Sequence, residues 1–244
     1  MSLLLNCDLG ESYGSWTMGM DEAVFPHIDQ ANIACGYHGG DPQTMLKTLA
    51  LAKKYGVTVG AHPSYPDLVG FGRRSMNCSE DEIIAMVLYQ VSALDGMAKV
   101  TGVPVEYVKP HGALYNDMMK KDSVRLAIMR AVQQYHRPLK LMLQATADSK
   151  LHQQEADDLG IDLLFEAFAD RCYDDDGRLL PRGQTGAVHN KEKMLEQVEQ
   201  LNTNGTVTTV SGKTLNINAH SLCVHGDNIE GVKAIEEIKR LVIS

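Results

Sequence analysis

Six residues able to exchange protons or ligate a cation stand at the ends of separate apolar runs: Asp8, His38, His62, His111, Glu166 and His225. The first run, Leu3 to Glu11 (LLLNCDLGE), reads as a buried strand that stops at polar groups and glycine. Asp8 and Glu11 are two carboxylates within reach of one another at that end, and Asn6 and Gly10 shape their surroundings. A carboxylate partly desolvated beside another is expected to bind a proton more tightly and to suit removal of a proton from water. Glu166 is the second candidate base. Lys109, between Val108 and Pro110, offers a desolvated amine that could hold a developing oxyanion together with the histidines. One aspartate with several imidazoles could equally hold a divalent metal, Zn²⁺ being the usual reading. No HxxxH or HExxH spacing occurs, so a metal-free acid/base site is an equal alternative. Arg73-Arg74 could bind a carboxylate or phosphate, or simply be solvated.

A single histidine of this kind is usually a hydrogen-bonded core or surface residue. Four of them at strand exits are better explained by elements that bring those exits together. The chain alternates accordingly. Strands are predicted from the first run, over Gln30–Cys35, Val57–Ala61, Val105–Val108, Leu139–Leu143 and Ile161–Phe165, and last over Ser221–Val224. Helices are predicted between them. Asp41 and Pro42 open one that Gly56 closes, and Ser79 with Glu82 forms a capping box for the next. Further helices are expected over about Asp117–Tyr135 and Ala145–Leu159, after Asn190, and from Ile229 onward. The segment Tyr173–Arg182 reads as a polar loop, and Thr206–Val210 with Thr214–Ile217 as a hairpin. About seven strands alternating with helices predict one α/β domain over residues 1–244, most economically a (β/α) barrel; an open doubly wound sheet is the alternative.

Composition narrows the class. The 244 residues suit a single barrel, and 44% hydrophobic residues are ample for a core. A net charge of −8 argues against nucleic acid. No apolar run approaches a membrane span, and the start lacks the basic and apolar regions of a signal peptide. Five cysteines without CxxC spacing read as reduced thiols. A cytoplasmic protein is expected. Gly212-Lys213-Thr214 is not a phosphate loop, because Val207 stands where its first glycine belongs. Asn77-Cys78-Ser79 matches a glycosylation sequon, which has no meaning without secretion.

The motifs LNCDLGE, ANIACGYHGGDPQTM, GAHPSYPDLVGFGRR, VKPHGALYN, EAFADRCYDDDGRLLPR and CVHGD, in this order, resemble the LamB/YcsF family, the A subunits of 5-oxoprolinase. Cys7 and Gly39 stand where that family usually carries alanine, and NIEG follows Asp227 where a Pro-Gly pair is common. The resemblance implies a deacetylase-like barrel, ATP-dependent opening of 5-oxoproline to glutamate, and two partners, subunits B and C. It implies catalytic roles for Asp8, Glu11, Lys109, His111 and Glu166. Asn6, Asn32, His38, Arg73, Tyr115, Asp170, Arg171 and His225 are expected to bind substrate. By position, Asp8, His62 and His111 match the metal ligands of related deacetylase barrels. A lactam is an unreactive amide, and phosphorylation of its carbonyl oxygen would supply a leaving group; without a P-loop, any ATP contact needs another kind of site or a partner protein. Two rivals remain: a stand-alone metal-dependent sugar-amide deacetylase, and a non-catalytic subunit that captures a lactam or sugar.

Overall fold

In the computed structural model, residues 3–181, 183–225 and 229–243 are described. The expected Arg182 end of the polar loop, Gly226-Asp227 of the last motif and the start of NIEG lie outside them.

The strands are β1 (Leu4–Leu9), β2 (Gln30–Ala34), β3 (Thr58–His62), β4 (Val105–Val108), β5 (Lys140–Gln144), β6 (Leu163–Phe168), β7 (Thr206–Thr208), β8 (Thr214–Asn216) and β9 (Ser221–Val224). The helices are α1 (Asp21–Val24), α2 (Pro42–Tyr55), α3 (Glu80–Thr101), α4 (Gly112–Lys120), α5 (Asp122–Gln134), α6 (Ser149–Leu159), α7 (Lys191–Asn204) and α8 (Ile229–Ile243). Seven parallel strands close into a barrel in the order β1-β2-β3-β4-β5-β6-β9, with β9 returning to β1 through Leu4 opposite Ser221. The remaining two, β7 and β8, form an antiparallel hairpin. The fold is therefore an α/β barrel, and the open-sheet alternative is excluded.

Local chemistry sets the helix ends as expected. Asp41 accepts hydrogen bonds from the backbone of Gln43 and Thr44, and Gly56 ends α2 at φ +66°. Ser79 and Glu82 form the reciprocal capping box of α3, and Asn190 caps α7 through Lys193 N. The main departures from expectation are three; in the first, α4 opens at Gly112, ahead of the expected Asp117. The helix predicted over Asp117–Tyr135 is broken at Lys121, which is extended at φ −126°, ψ 113°. Arg125 staples the break, donating to the Met118 carbonyl, Asp122 and Glu155. The sixth strand runs on to Phe168, so Glu166 lies within it rather than after it. By length and composition α3 could cross a membrane, against the expectation of no such run. Here its apolar face (Ile83, Val87, Val91, Leu94 and Ala98) is buried, and α3 packs against α2, α5, β3 and β4.

Strand alternation divides the barrel's chemistry in two. Leu5, Cys7, Leu9, Ala31, Ile33, Leu222 and Val224 belong to the buried apolar core. The intervening residues, Asn6, Asn32, Tyr107 and Ser221, meet one another by hydrogen bonds inside the barrel. A barrel centre is usually filled by branched aliphatic side chains. This one is polar.

Candidate active site

The polar interior opens at the carboxyl ends of the strands into a cavity of about 720 Å³. Of the residues singled out from sequence, Asp8, Glu11, His62, Arg73, Lys109, His111, Tyr115, Arg171 and His225 line it. The others support it from outside the lining. Glu166 and Asn6 are fully buried, as is Asn32, and His38 is 1% exposed. Asp170 holds His225, its Oδ2 lying 3.1 Å from Nδ1.

At the floor, Lys109 Nζ lies 3.0 Å from Asp8 Oδ1 and 3.0 Å from Glu166 Oε2. It also donates to Asn6 Oδ1 at 3.1 Å. Asn32 Nδ2 donates to Asp8 Oδ1 at 2.7 Å, and Tyr107 donates to Asn32 Oδ1 at 2.6 Å. Asp8 Oδ1 is thus fully engaged, while Oδ2 faces His62 Nε2 at 3.4 Å. Burial alone would raise the Asp8 carboxyl, but His62 and Lys109 hold it well below its ordinary range. The expectation of a raised proton affinity at Asp8 is therefore corrected: Glu11, the assumed neighbour, is turned to the histidines, and a lysine distant in sequence supplies the missing charge. Burial likewise works against the Lys109 ammonium, yet Asp8 and Glu166 push its pKa well above the usual lysine value. The amine is desolvated as expected, but it stays charged.

Above this floor sit three imidazoles. His38 and His111 stack with ring centroids 3.7 Å apart, and His62 meets both edge-on. Burial, reinforced by the neighbouring imidazoles, lowers His38 and His111 well below the normal histidine range. Glu11 Oε1 accepts from His38 Nε2 at 3.0 Å and lies 3.5 Å from His111 Nδ1. The loop is drawn in at Gly39, where a Cβ would come within 2.5 Å of the Glu11 carbonyl oxygen. Two groups have the donor atoms and spacing for a metal ion: Glu11, His38, His62 and His111, and separately Asp8, Cys223 and His225. Asp8, His62 and His111 do not form one such group; Asp8 approaches only His62.

The arginine pair is split. Arg73 lies over the Phe71 ring, 5.0 Å from its centroid, and faces the cavity, whereas Arg74 is held by Asp67. The Tyr115 phenol is pushed well up by burial and by Glu166, although its hydroxyl meets no partner with hydrogen-bond geometry among the described residues. Sequence reading passes over Gln144, Phe71, Phe168 and Arg178, which also line the cavity. Gln144 carries the same run-then-polar signal as the others, following Lys140–Leu143 directly. Phe71 carries none: its role comes from a left-handed backbone, φ +54°, that aims its carbonyl at His111.

A relative from Pseudomonas putida, named as the second of that organism's 5-oxoprolinase A subunits, is 54% identical over 239 residues, covering 98% of this chain and 93% of its own. Another, a 5-oxoprolinase A subunit from Vibrio campbellii, is 51% identical and covers 98% and 94%. The crystal structure of the lactam utilization protein from Thermus thermophilus superimposes with a TM-score of 0.90 at 38% identity, over 98% of this chain and 96% of that one. The LamB/YcsF family model matches residues 3–243. The chain belongs to the LamB/YcsF family.

Proposed function

We propose that this chain is the A subunit of a 5-oxoprolinase, opening the lactam of 5-oxo-L-proline to L-glutamate within an ATP-consuming complex with subunits B and C. The observation that carries this reading is the match to relatives of that name across 98% of the chain. The cavity suits it. A lactam that bears a carboxylate is an anionic amide, and Arg73 and Arg178 bring guanidinium groups to the cavity lining.

The residues then divide the work. Attack of water on the lactam carbonyl forms the new C–O bond and places negative charge on the carbonyl oxygen. The Lys109 ammonium meets that charge. Asp8, kept ionised, orients the water and receives its proton, which passes to the ring nitrogen as the C–N bond breaks. Glu166 is shut away from the cavity and bonded to Lys109 and Asn6; it holds the lysine rather than the water. ATP is a substrate of the complex: its terminal phosphoryl group, transferred to the lactam carbonyl oxygen with release of ADP, activates the ring before water attacks, and it leaves as inorganic phosphate when the ring-opened acyl phosphate is hydrolysed to glutamate. Gly212-Lys213 occupies the turn of the β7–β8 hairpin, where Lys213 N bonds Thr209, so this segment is not a phosphate cradle. Free and mostly buried cysteines suit a reducing compartment such as the cytoplasm.

The test is glutamate release from 5-oxoproline by the purified chain, with and without ATP and subunits B and C. Turnover is expected only from the complete mixture. ATP-independent release by the chain alone would overturn the reading. The imidazole cluster favours one rival, a metal-dependent amide deacetylase, which would turn over with metal and without ATP or partners.

A further inference from the structure

His62 and His111 meet through nitrogens that, in neutral rings, both carry lone pairs. His62 Nδ1 lies 2.7 Å from the Lys109 carbonyl oxygen, which can only accept, so its hydrogen sits on Nδ1. His111 Nε2 lies 2.9 Å from the Phe71 carbonyl oxygen, so its hydrogen sits on Nε2. What remains is His62 Nε2 facing His111 Nδ1 at 3.0 Å. Their other close neighbours are also electron-rich: Asp8 Oδ2 lies 3.4 Å from His62 Nε2, and Glu11 Oε1 lies 3.5 Å from His111 Nδ1. Such a convergence calls for positive charge at its centre, supplied either by a proton held among these atoms or by a metal cation in its place.

We propose that Glu11, His62 and His111 form the seat of a divalent transition-metal ion, with Asp8 outside it and His38 stacked behind His111 rather than ligating. The ligand atoms of Glu11, His62 and His111 all lie within 4.8 Å of one another. Tetrahedral bonds of ~2.0–2.1 Å to zinc place ligand atoms ~3.3 Å apart. The contacts His62–His111 and His111–Glu11, at 3.0 and 3.5 Å, bracket that spacing. Two imidazoles and one carboxylate, with a fourth position left towards the cavity, suit zinc or a neighbouring borderline-soft ion.

The outer contacts point the same way. A metal-binding histidine commonly donates its far N–H to a carbonyl or carboxylate, which fixes the tautomer. His62 and His111 both do so. The Phe71 carbonyl reaches His111 only because a non-glycine residue adopts φ +54°, a strained conformation. Gly72 follows at φ +64°, and a Cβ there would come within 2.8 Å of the His111 ring. His38 lies parallel to His111, its ring centroid 3.7 Å away, so it does not aim at the same ion; it donates from Nε2 to Glu11 Oε1 at 3.0 Å and orients that carboxylate. This assignment is independent of the lactam reading, and it replaces the Asp8, His62 and His111 set suggested by resemblance. A bound ion would supply Lewis acidity at the cavity wall.

The experiment uses the full chain, stripped with chelator and titrated with Co²⁺. Visible d–d absorption is followed, with zinc stoichiometry from elemental analysis after dialysis. A single ion with tetrahedral-type absorption is expected. Glu11→Gln and His111→Ala should weaken Co²⁺ binding by more than the ~10–100-fold typical of an outer-shell loss, while Asp8→Asn keeps the ion. Near-UV circular dichroism checks that each variant is folded. The ¹⁵N resonances of His62 and His111, which need no variant, should shift on metal addition. Absence of binding by the parent chain at saturating Co²⁺, or retention in folded Glu11→Gln with loss in Asp8→Asn, would overturn the assignment.

Discussion

Asp8 Oδ1 and Lys109 Nζ, 101 residues apart in sequence, meet at 3.0 Å on the floor of the cavity. The same ammonium neutralises Glu166 from the other side at 3.0 Å. One cation thus serves two carboxylates, Glu166 fully buried and Asp8 open to the cavity, and neither the charge state of Asp8 nor the placement of Glu166 can be understood without it.

Lys109→Met should therefore damage both stability and activity. Removing one partner from a buried pair typically costs ~3–5 kcal/mol, because the other charge stays desolvated. Loss of an oxyanion donor costs ~10²–10³ in rate. Urea unfolding and glutamate release by the reconstituted complex measure the two effects. A variant as stable as its parent would show that the network tolerates the missing charge.

Asp8→Asn tests the water-handling role. Asparagine keeps the shape and can retain a hydrogen bond to Asn32, but it cannot receive a proton. The expected loss is ~10²–10⁴-fold in turnover, with a lowered melting temperature because the ionised carboxylate's pairing with Lys109 is lost, although Glu166 still pairs the ammonium and the variant folds. A folded variant working at near-normal rate would reduce Asp8 to a structural role.

The pH dependence of stability has a sign that can be worked out. Asp8 is held well below its ordinary value of 3.8, so its stabilisation is present above that value and is lost as pH falls through the lower, folded one. His38 and His111, held well below 6.5, act in the same sense: below pH 6.5 the unfolded chain binds protons that the folded chain resists. Lys109 is raised above 10.5, so its contribution is complete below that value and fades only as pH rises through the folded one. Urea unfolding of metal-stripped protein should show stability falling from about pH 6.5 downward. Asp8→Asn should remove only the portion below about pH 4. A flat profile between pH 7 and 4 would contradict the burial of neutral imidazoles.

Much of this is legible in the sequence, for reasons of periodicity. Asp8, Lys109, His111 and His225 stand at strand ends because a strand buried on both faces must stop where polar groups begin, and a barrel gathers such ends. What local pattern cannot carry is which distant groups touch. Spacing pairs Asp8 with Glu11, three residues away, whereas its partners are Lys109, Asn32 and His62. The break at Lys121 is invisible because no proline or glycine marks it. The carbonyl of Phe71 is equally hidden, since its contribution is a backbone angle and not a side-chain type.

Arg73 separates binding from chemistry. It faces the cavity above Phe71 and makes no ion pair among the described residues, so its charge is available to an anionic substrate. Arg73→Met should raise KM for 5-oxoproline about tenfold, the equivalent of ~1.4 kcal/mol, and leave kcat within a small factor. A lower kcat with KM unchanged would place Arg73 in the chemical step instead.

Two glycines should respond to alanine with opposite signs. At Gly60 an added Cβ would lie 2.2 Å from the Tyr107 ring, which cannot retreat because its hydroxyl is bonded to Asn32 at 2.6 Å. The β3–β4 register also shifts between Val59 and Gly60, where Val59 faces Val105 and Gly60 faces Tyr107. The strands thus bring that ring directly over the glycine. Gly60→Ala should cost ~1–3 kcal/mol by overpacking and disturb the site through Asn32, which bonds Asp8. Gly96 lies within α3, and an added Cβ there would meet nothing within 4 Å, so Gly96→Ala should instead gain ~0.5–1 kcal/mol from helix propensity. Urea unfolding of both variants, with Tyr107→Leu combined with Gly60→Ala, provides the measurement. The double variant should recover part of the loss by removing the clash. If Gly60→Ala is neutral while Gly96→Ala stabilises, Tyr107 is not wedged against β3, and the rigid polar floor beneath Asp8 loses its main constraint.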